Sequence, residues 1–122
     1  MKSSKIMNDD NPYKKVFYGM YQNGQSVEAN NAAPIKKQVL TNLVKTVGEC
    51  DQNFIGFIDE TDTILQFFVD KVNDIWVEIP EVKKKGSYSK RINQIEMESI
   101  ITNLKTPFKE YKTRLELDFK AW

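Results

Sequence analysis

Residues 54–81 read FIGFIDETDTILQFFVDKVNDIWVEIPE and contain three short apolar segments separated by two acidic turns. Segments of this length, rich in β-branched and aromatic residues and bounded by turn residues, are typical of β-strands. We therefore predict three consecutive antiparallel strands, over 54–58, 63–69 and 75–79, in the middle of a sheet.

A tight hairpin between the second and third of these strands determines which residues face each other. Val69 then lies opposite Ile75, and Phe67 lies opposite Val77. Because side chains alternate between the two faces of a strand, these pairs share one face, which is wholly apolar. That face is predicted to be core.

The opposite face of the same hairpin is mixed, because it places Phe68 beside Trp76 and Gln66 beside Glu78. Two interpretations follow. A loop or tail half covers this face, with Gln66 and Glu78 bonding each other or the backbone. Alternatively the face is a binding surface, since aromatic residues flanked by hydrogen-bonding groups are typical of interface centres.

The segments before the hairpin predict a strand and a helix. KVFYGMY, at 15–21, is rich in strand-forming residues, and the Asn-Gly dipeptide that follows is a hairpin signal. Whether 25–29 pairs back as a strand is left open. Apolar residues at helical spacing, after a proline in the first turn, predict a helix over 34–47. Gly48 is predicted to end it in a left-handed conformation.

The segments after the hairpin predict a second helix between two extended pieces. A basic loop leads to a short edge strand at 90–92. Asn93 and Glu96 have the spacing of a capping box, which predicts a helix over 94–105. Alternating apolar residues at 115–119 predict a last extended segment.

These elements define the class of fold and the domain organisation. We predict an α/β protein of the α+β kind, with a central, mainly antiparallel sheet of about four to six strands and two helices packed on it. Residues 13–122 form a single domain. Residues 1–12 are polar and charged, and we predict that they are disordered.

Composition removes most catalytic and metal-binding chemistry. The chain has no histidine and one cysteine, Cys50, which excludes imidazole bases, histidine-containing zinc sites and an internal disulfide. We find no motif for a nucleotide, a metal or a catalytic nucleophile, and expect no cofactor and no enzymatic activity. We see no apolar run long enough to span a membrane and no signal peptide, so a cytoplasmic location is expected.

The central segment is acidic and its flanks are basic. Residues 51–81 carry eight acidic residues and one basic residue, a net charge of −7, whereas the whole chain carries +1. A local acidic surface favours a basic partner through electrostatic complementarity.

Two alternative functions follow from other residues. The first is a small nucleic-acid-binding module, which would use the basic residues that follow the central strands: Lys83, Lys84, Lys85, Lys90 and Arg91. The second is a small carboxylate-based enzyme that uses Glu78, which would need a concave pocket around that residue.

Several segments together resemble bacterial immunity proteins of polymorphic toxin and contact-dependent growth inhibition systems. They are the helix opened by Pro34, the strands FIGFI, TILQFFV and IWVEI, the helix that follows Asn93, and the closing LELDFKAW. The matching pieces fall within 15–122.

The resemblance implies a cytoplasmic inhibitor that binds a cognate toxin domain and occludes it stoichiometrically, without turnover. Such toxins are commonly nucleases or deaminases with basic substrate grooves. The implied partner is therefore a protein, with no direct nucleic-acid contact, while the oligomeric state is left open. The interface candidates are Asp59, Glu60, Asp62, Gln66, Phe68, Asp70, Asp74, Trp76, Glu78 and Glu81.

Overall fold

Residues 12–122, the part of the chain described by a computed structural model, form one seven-stranded antiparallel sheet in the order β2-β1-β3-β4-β5-β6-β7. The strands are β1 (Val16–Met20), β2 (Gln25–Val27), β3 (Phe54–Ile58), β4 (Ile64–Lys71), β5 (Asp74–Glu81), β6 (Gly86–Ile92) and β7 (Asp118–Ala121). The α+β class is confirmed, with more strands than the four to six predicted. The disordered segment predicted at 1–12 lies, apart from Pro12, outside the described residues.

The described chain also contains three α-helices, one more than predicted. They are α1 (Lys37–Thr46), α2 (Gln94–Thr102) and the single turn α3 (Tyr111–Arg114). The capping box predicted for α2 is present, because the Asn93 side chain accepts from the Glu96 N–H while the Glu96 side chain accepts from the Asn93 N–H. No helix within 12–122 is long and apolar enough to cross a membrane.

The central hairpin forms in the predicted register. Val69 pairs with Ile75 and Phe67 with Val77 across β4 and β5, and β3 occupies the predicted 54–58. The side chains of all four paired residues are buried. Alternation of apolar residues therefore located the core face of these strands correctly.

The core lies between one face of the sheet and the helices. Inward-facing strand residues such as Ile55, Phe67 and Val77 form one cluster with Leu43 of α1 and Met97 of α2. Phe57 and Phe67 meet edge to face, with ring centroids 6.4 Å apart. All of the helices pack on this face, so the other face of the sheet has no helical layer over it in the described chain.

Helix α1 begins and ends differently from the prediction. It begins at Lys37: Ala33 exchanges backbone hydrogen bonds with Val16, and Lys36 before the helix is still extended. Gly48 does not adopt a left-handed conformation; it lies in a buried 3-10 turn, where its carbonyl accepts from the Asn73 N–H at 3.0 Å. A Cβ at Gly48 would make ordinary van der Waals contacts, the nearest at 3.4 Å to the Gln94 side chain, so neither a positive φ nor close packing requires a glycine here.

Strand β6 is the largest departure from the predicted elements. The predicted edge strand at 90–92 is a seven-residue strand paired with β5 on one side and β7 on the other. The preceding lysines form a 3-10 turn, Val82–Lys84, and Lys85 has a φ of 53°. Gly86 then approaches β7 closely, since a Cβ there would lie 2.5 Å from the Lys120 carbonyl oxygen.

The last extended segment lies nearer the carboxyl terminus than predicted, at Asp118–Ala121 instead of 115–119. Arg114 ends the helical turn α3, and Leu117 is still outside the sheet, with its N–H donating to the Lys112 carbonyl. Strand β7 begins only at Asp118. The apolar residues before it are used to pack the short helical segment against the core.

Candidate binding surface on the open sheet face

The face of the sheet opposite the helices, here called the open face, carries the mixed side chains predicted for the central hairpin. Strand alternation and pairing place on it Phe17, Phe54, Ile64, Gln66, Phe68, Asp70, Asp74, Trp76, Glu78, Ser87, Ser89, Arg91, Asp118 and Lys120. Phe68 and Trp76 form a cross-strand pair, as do Gln66 and Glu78. The predicted composition of this face is thus confirmed at its centre.

A row of aromatic rings crosses the open face. The rings of Phe68 and Trp76 are stacked, with centroids 6.4 Å apart and planes 12° from parallel. Phe54 is paired with Phe68 on the next strand and contacts Phe17 at a centroid distance of 6.1 Å. Phe68 and Trp76 are both half-buried, so part of each side chain is accessible. The row forms an apolar strip across β1, β3, β4 and β5.

Gly56 allows the row to reach β1. The Phe17 ring lies directly over this glycine, so that a Cβ at Gly56 would come within 2.1 Å of a Phe17 ring carbon. Phe17 is consequently 4% exposed although it faces away from the helices. At the β1 end of the aromatic row, the Phe17 ring is therefore buried and inaccessible to a partner.

A polar network lies beside the aromatic row. The Gln66 side-chain amide donates to Oε1 of Glu78, and the Ser87 hydroxyl donates to Oε2, both at 2.6 Å. The Trp122 indole N–H donates to the Ser87 oxygen at 3.4 Å. Glu78 is thus held in place by neighbours on two strands, and its carboxylate faces the open side of the sheet.

Two shallow depressions on the described surface meet at Phe68 and Glu78. One has a volume of about 310 Å³ and extends over Trp76, Ser87 and Lys120 toward Trp122. The other, of about 330 Å³, extends over Gln66 and Phe54 toward Phe17. The predicted bond between Gln66 and Glu78 is present, but Trp122 and the carboxyl-terminal strand border the face rather than cover it.

Asp59 does not belong to this surface, in contrast to the prediction. It is 4% exposed, and its Oδ1 accepts from the backbone N–H groups of Thr61 and Thr63 at 3.0 Å. Its Oδ2 accepts from the Phe108 N–H at 2.8 Å. The carboxylate therefore fixes the β3–β4 turn and joins it to the segment before α3.

Glu81 is also directed away from the open face. It alternates with Ile79 on the side of β5 that faces the helices, and it pairs with Gly86 of β6. Its carboxylate binds Lys112 and lies 3.9 Å from the Lys84 ammonium. These basic groups neutralise it on the helical side of the sheet. It does not contribute to the predicted acidic rim.

The remaining acidic candidates lie at opposite ends of the sheet. Glu60 and Asp62 are exposed in the turn before β4, whereas Asp70 and Asp74 flank the turn after it. Eight residues of strand separate the two turns, which is about 25 Å. Asp74 is paired with Arg91 at 2.6 Å. The predicted acidic rim is therefore two separate groups of carboxylates.

The basic residues of the nucleic-acid alternative are also separated. Lys83, Lys84 and Lys85 precede β6, whereas Lys90 and Arg91 lie near its end and point to opposite faces. Lys90 donates to the Leu115 carbonyl and Arg91 binds Asp74. They do not form a continuous basic patch.

Lys120, Ser87 and Trp122 were missed by the sequence-based prediction of the site. The Lys120 ammonium lies 5.0 Å from the centre of the Trp76 ring. These residues come from β6 and the carboxyl-terminal strand, whose pairing depends on contacts distant in sequence. The only sequence signal for this pairing was the alternation of residue types in SYSKRI and LELDFKAW, which is typical of strands.

The open face offers aromatic rings, carboxylates and hydroxyl groups side by side. No cluster of three or more potential metal-binding side chains occurs within 12–122. Glu78 borders the depressions but uses both of its oxygens in hydrogen bonds to neutral side chains. Comparison with protein-family models, with curated proteins and with solved structures gives no match.

Proposed function

We propose that the protein is an immunity protein that binds a cognate toxin domain through its open face and blocks it stoichiometrically. The observation that carries the proposal is the stacked Phe68–Trp76 pair, half-buried beside Glu78 on a sheet face without a helical layer. The resemblance of the sequence segments to immunity proteins supports the choice of partner. The proposed setting is the bacterial cytoplasm.

The aromatic pair is suited to be the centre of the interface. Tryptophan and other aromatic side chains dominate binding energy when a partner removes water from them. Phe68 and Trp76 are already stacked on each other and anchored on two central strands, so little side-chain freedom is lost on binding. Shallow depressions on either side leave room for side chains of the partner.

The charge of the open face favours a basic partner. Its four carboxylates, Asp70, Asp74, Glu78 and Asp118, outnumber its two cations, Arg91 and Lys120. A toxin that acts on nucleic acid presents a basic groove, and a net negative face complements it. The proposed toxin is therefore a nuclease or another nucleic-acid-acting enzyme.

Co-expression with the toxin domain encoded by the adjacent gene tests the proposal. The wild-type protein should restore growth and form a complex with the toxin domain on gel filtration. Replacement of Trp76 by alanine should abolish both. The matched control is Ile95→Ala, which removes a side chain that is 77% exposed on the helical side and should leave neutralisation unchanged.

Two outcomes would overturn the proposal. The first is failure of the wild-type protein to neutralise or bind the adjacent toxin domain. The second is a folded Trp76→Ala variant, verified by its thermal unfolding, that neutralises as well as the wild type, because the toxin would then bind elsewhere.

A further inference from the structure

The depression beside Trp76, here called the Trp76 depression, combines an aromatic wall with carboxylates. Phe68 and Trp76 supply the aromatic surface, while Asp70 and Glu78 supply negative charge and Ser87 supplies a hydroxyl. Its volume of about 310 Å³ is at the lower limit of ligand pockets and suits a single side chain. Aromatic faces next to carboxylates are suited to a cation.

Lys120 indicates that a cation is accepted there. Its ammonium lies 5.0 Å from the Trp76 ring centre, within the range of a cation–π contact. Lys120 is paired with Ser87, whereas Trp76 is paired with Arg91, so the lysine side chain crosses the depression diagonally. The protein thus places one of its own cations where an incoming one would sit.

The contact of Lys120 is weak enough to be replaced. Among the described residues, no hydrogen bond or ion pair holds its ammonium, and the residue is exposed on an edge strand. Lysine at such a site contributes a modest cation–π attraction and loses side-chain freedom in doing so. A cation that also reached a carboxylate would bind better.

Glu78 has the acceptor capacity for such a cation. A carboxylate offers about four acceptor positions, and the bonds from Gln66 and Ser87 use one on each oxygen. A guanidinium can stack on an indole and donate to a carboxylate at the same time, because it is planar and has several N–H groups. Arginine fits this combination better than lysine.

We propose that the Trp76 depression receives an arginine side chain of the basic partner, and that Lys120 occupies the depression until that arginine replaces it. This inference rests on the proposed function, since it names the chemistry by which the toxin domain is recognised at the open face. It makes the Trp76 depression the specificity-determining part of the interface.

Binding of a small probe to the full chain tests the inference without the toxin. Nα-acetyl-arginine amide is titrated while the Trp76 indole N–H resonance is followed by NMR, with Trp122→Phe used to assign the two indoles. Nα-acetyl-citrulline amide, which has nearly the same shape but no charge, is the comparison probe. The arginine probe should shift the Trp76 resonance with saturation, and the citrulline probe should not.

Two substitutions separate the contributions of Lys120 and the carboxylates. Lys120→Met should raise the affinity for the arginine probe about two- to five-fold, which is the loss of a competing exposed cation–π contact. Lys83→Met, the same change in the turn before β6, should leave it unchanged. Glu78→Gln should lower the affinity about five-fold, because a charged acceptor is replaced by a neutral one. Asp70→Asn, at an exposed position, should lower the affinity to a smaller degree, and it replaces Glu78→Gln in the test if that variant does not fold.

The outcomes distinguish this inference from the proposed function. Equal binding of the two probes, or a Lys120→Met variant with wild-type affinity, would overturn the arginine site even if the toxin were neutralised. Selective arginine binding together with failure to neutralise the toxin would support the site and reject the immunity function. Selective binding, a stronger Lys120→Met variant and neutralisation that weakens in Glu78→Gln would support both.

Discussion

Tyr13 couples the stability of the protein to pH. Its hydroxyl donates to the Ile101 carbonyl in α2 at 2.6 Å, and its ring contacts Phe57. Burial, with a smaller contribution from Tyr111, raises the pKa of Tyr13 above its ordinary value of 10.0. The fold therefore favours the protonated phenol. The stability that Tyr13 contributes is present below pH 10 and is lost as the pH rises through the raised pKa.

Urea unfolding of the wild type and Tyr13→Phe over a pH series checks this expectation. At neutral pH the variant should be less stable by about 0.5–1.5 kcal/mol, the contribution of one hydrogen bond. Above pH 10 the difference in stability between the two proteins should shrink. Only the wild type has a phenol at this position, and unfolding lets that phenol ionise at its ordinary pKa. Tyr21→Phe, at a residue that is 64% exposed, is the control. A difference that stayed constant with pH would contradict the assignment.

The effect of a substitution at Gly56 on stability depends on Phe17. A methyl group at Gly56 would overlap the Phe17 ring, which lies over the glycine on the open face. Gly56→Ala should therefore destabilise the protein by about 1–3 kcal/mol, as overpacking does elsewhere. In a Phe17→Ala background the same substitution should cost little. A double-mutant cycle by chemical denaturation measures this coupling, and additive effects would mean that overlap with the Phe17 ring does not cause the destabilisation.

Residue pairs that depend on alternation were predictable, whereas the roles of single carboxylates were not. The pairing of Phe68 with Trp76 followed from a tight hairpin between two apolar segments. Asp59 was indistinguishable in sequence from its acidic neighbours Glu60 and Asp62. Its structural role depends on Phe108, 49 residues away, and no local pattern indicates that contact.

At the scale of elements, Asp59 connects the β3–β4 turn to the segment that precedes α3. Replacement by alanine would leave the buried Phe108 N–H without its acceptor and remove the acceptor of two turn amides. We expect a loss of about 1–3 kcal/mol in the free energy of unfolding, the cost of unsatisfied buried donors.

The neighbouring substitution Glu60→Ala provides the control for Asp59→Ala. Glu60 is exposed in the same turn, and its replacement should change stability by no more than about 0.5 kcal/mol. Thermal unfolding of both variants gives the comparison. If Asp59→Ala kept wild-type stability and weakened toxin binding instead, the residue would have the interface role that its burial argues against.

Elements with a strong local pattern were predicted well, and those determined by distant pairing were not. The capping box located α2, and hydrophobic periodicity located most of α1. The lysine-rich segment before β6 suggested a long loop, so the full length of that strand was missed. Strand β6 is internal, between β5 and β7, and its alternate polar residues face the open side of the sheet.

At the scale of the whole molecule, the acidic central segment does not act as one charged surface. Folding places its carboxylates at both ends of the sheet and on both faces, and brings Asp74 and Glu81 next to basic groups from the carboxyl-terminal third. The sequence predicted the existence of a mixed face but not its charge distribution, because that distribution depends on which strands become neighbours. In the proposed complex, recognition of the toxin domain would therefore depend on the side chains around Trp76.

Sheet order predicts which part of the open face is rigid. Strands β3, β4 and β5 each have neighbours on both sides, whereas β2 and β7 are edges of three and four residues. Amides of the central strands should exchange with solvent only through global unfolding, while those of the edge strands exchange through local opening. Hydrogen exchange by NMR at increasing denaturant measures this, with a steep denaturant dependence expected for β4 and a shallow one for β7.

Local opening of β7 has a consequence for the Trp76 depression. Lys120 and Trp122 are carried by this strand and by the residue after it, whereas Phe68, Trp76 and Glu78 are carried by central strands. Opening of β7 would withdraw the Lys120 ammonium and leave the aromatic pair and the carboxylate in position. If β7 amides were instead as protected as those of β4, Lys120 could leave Trp76 only by side-chain rotation.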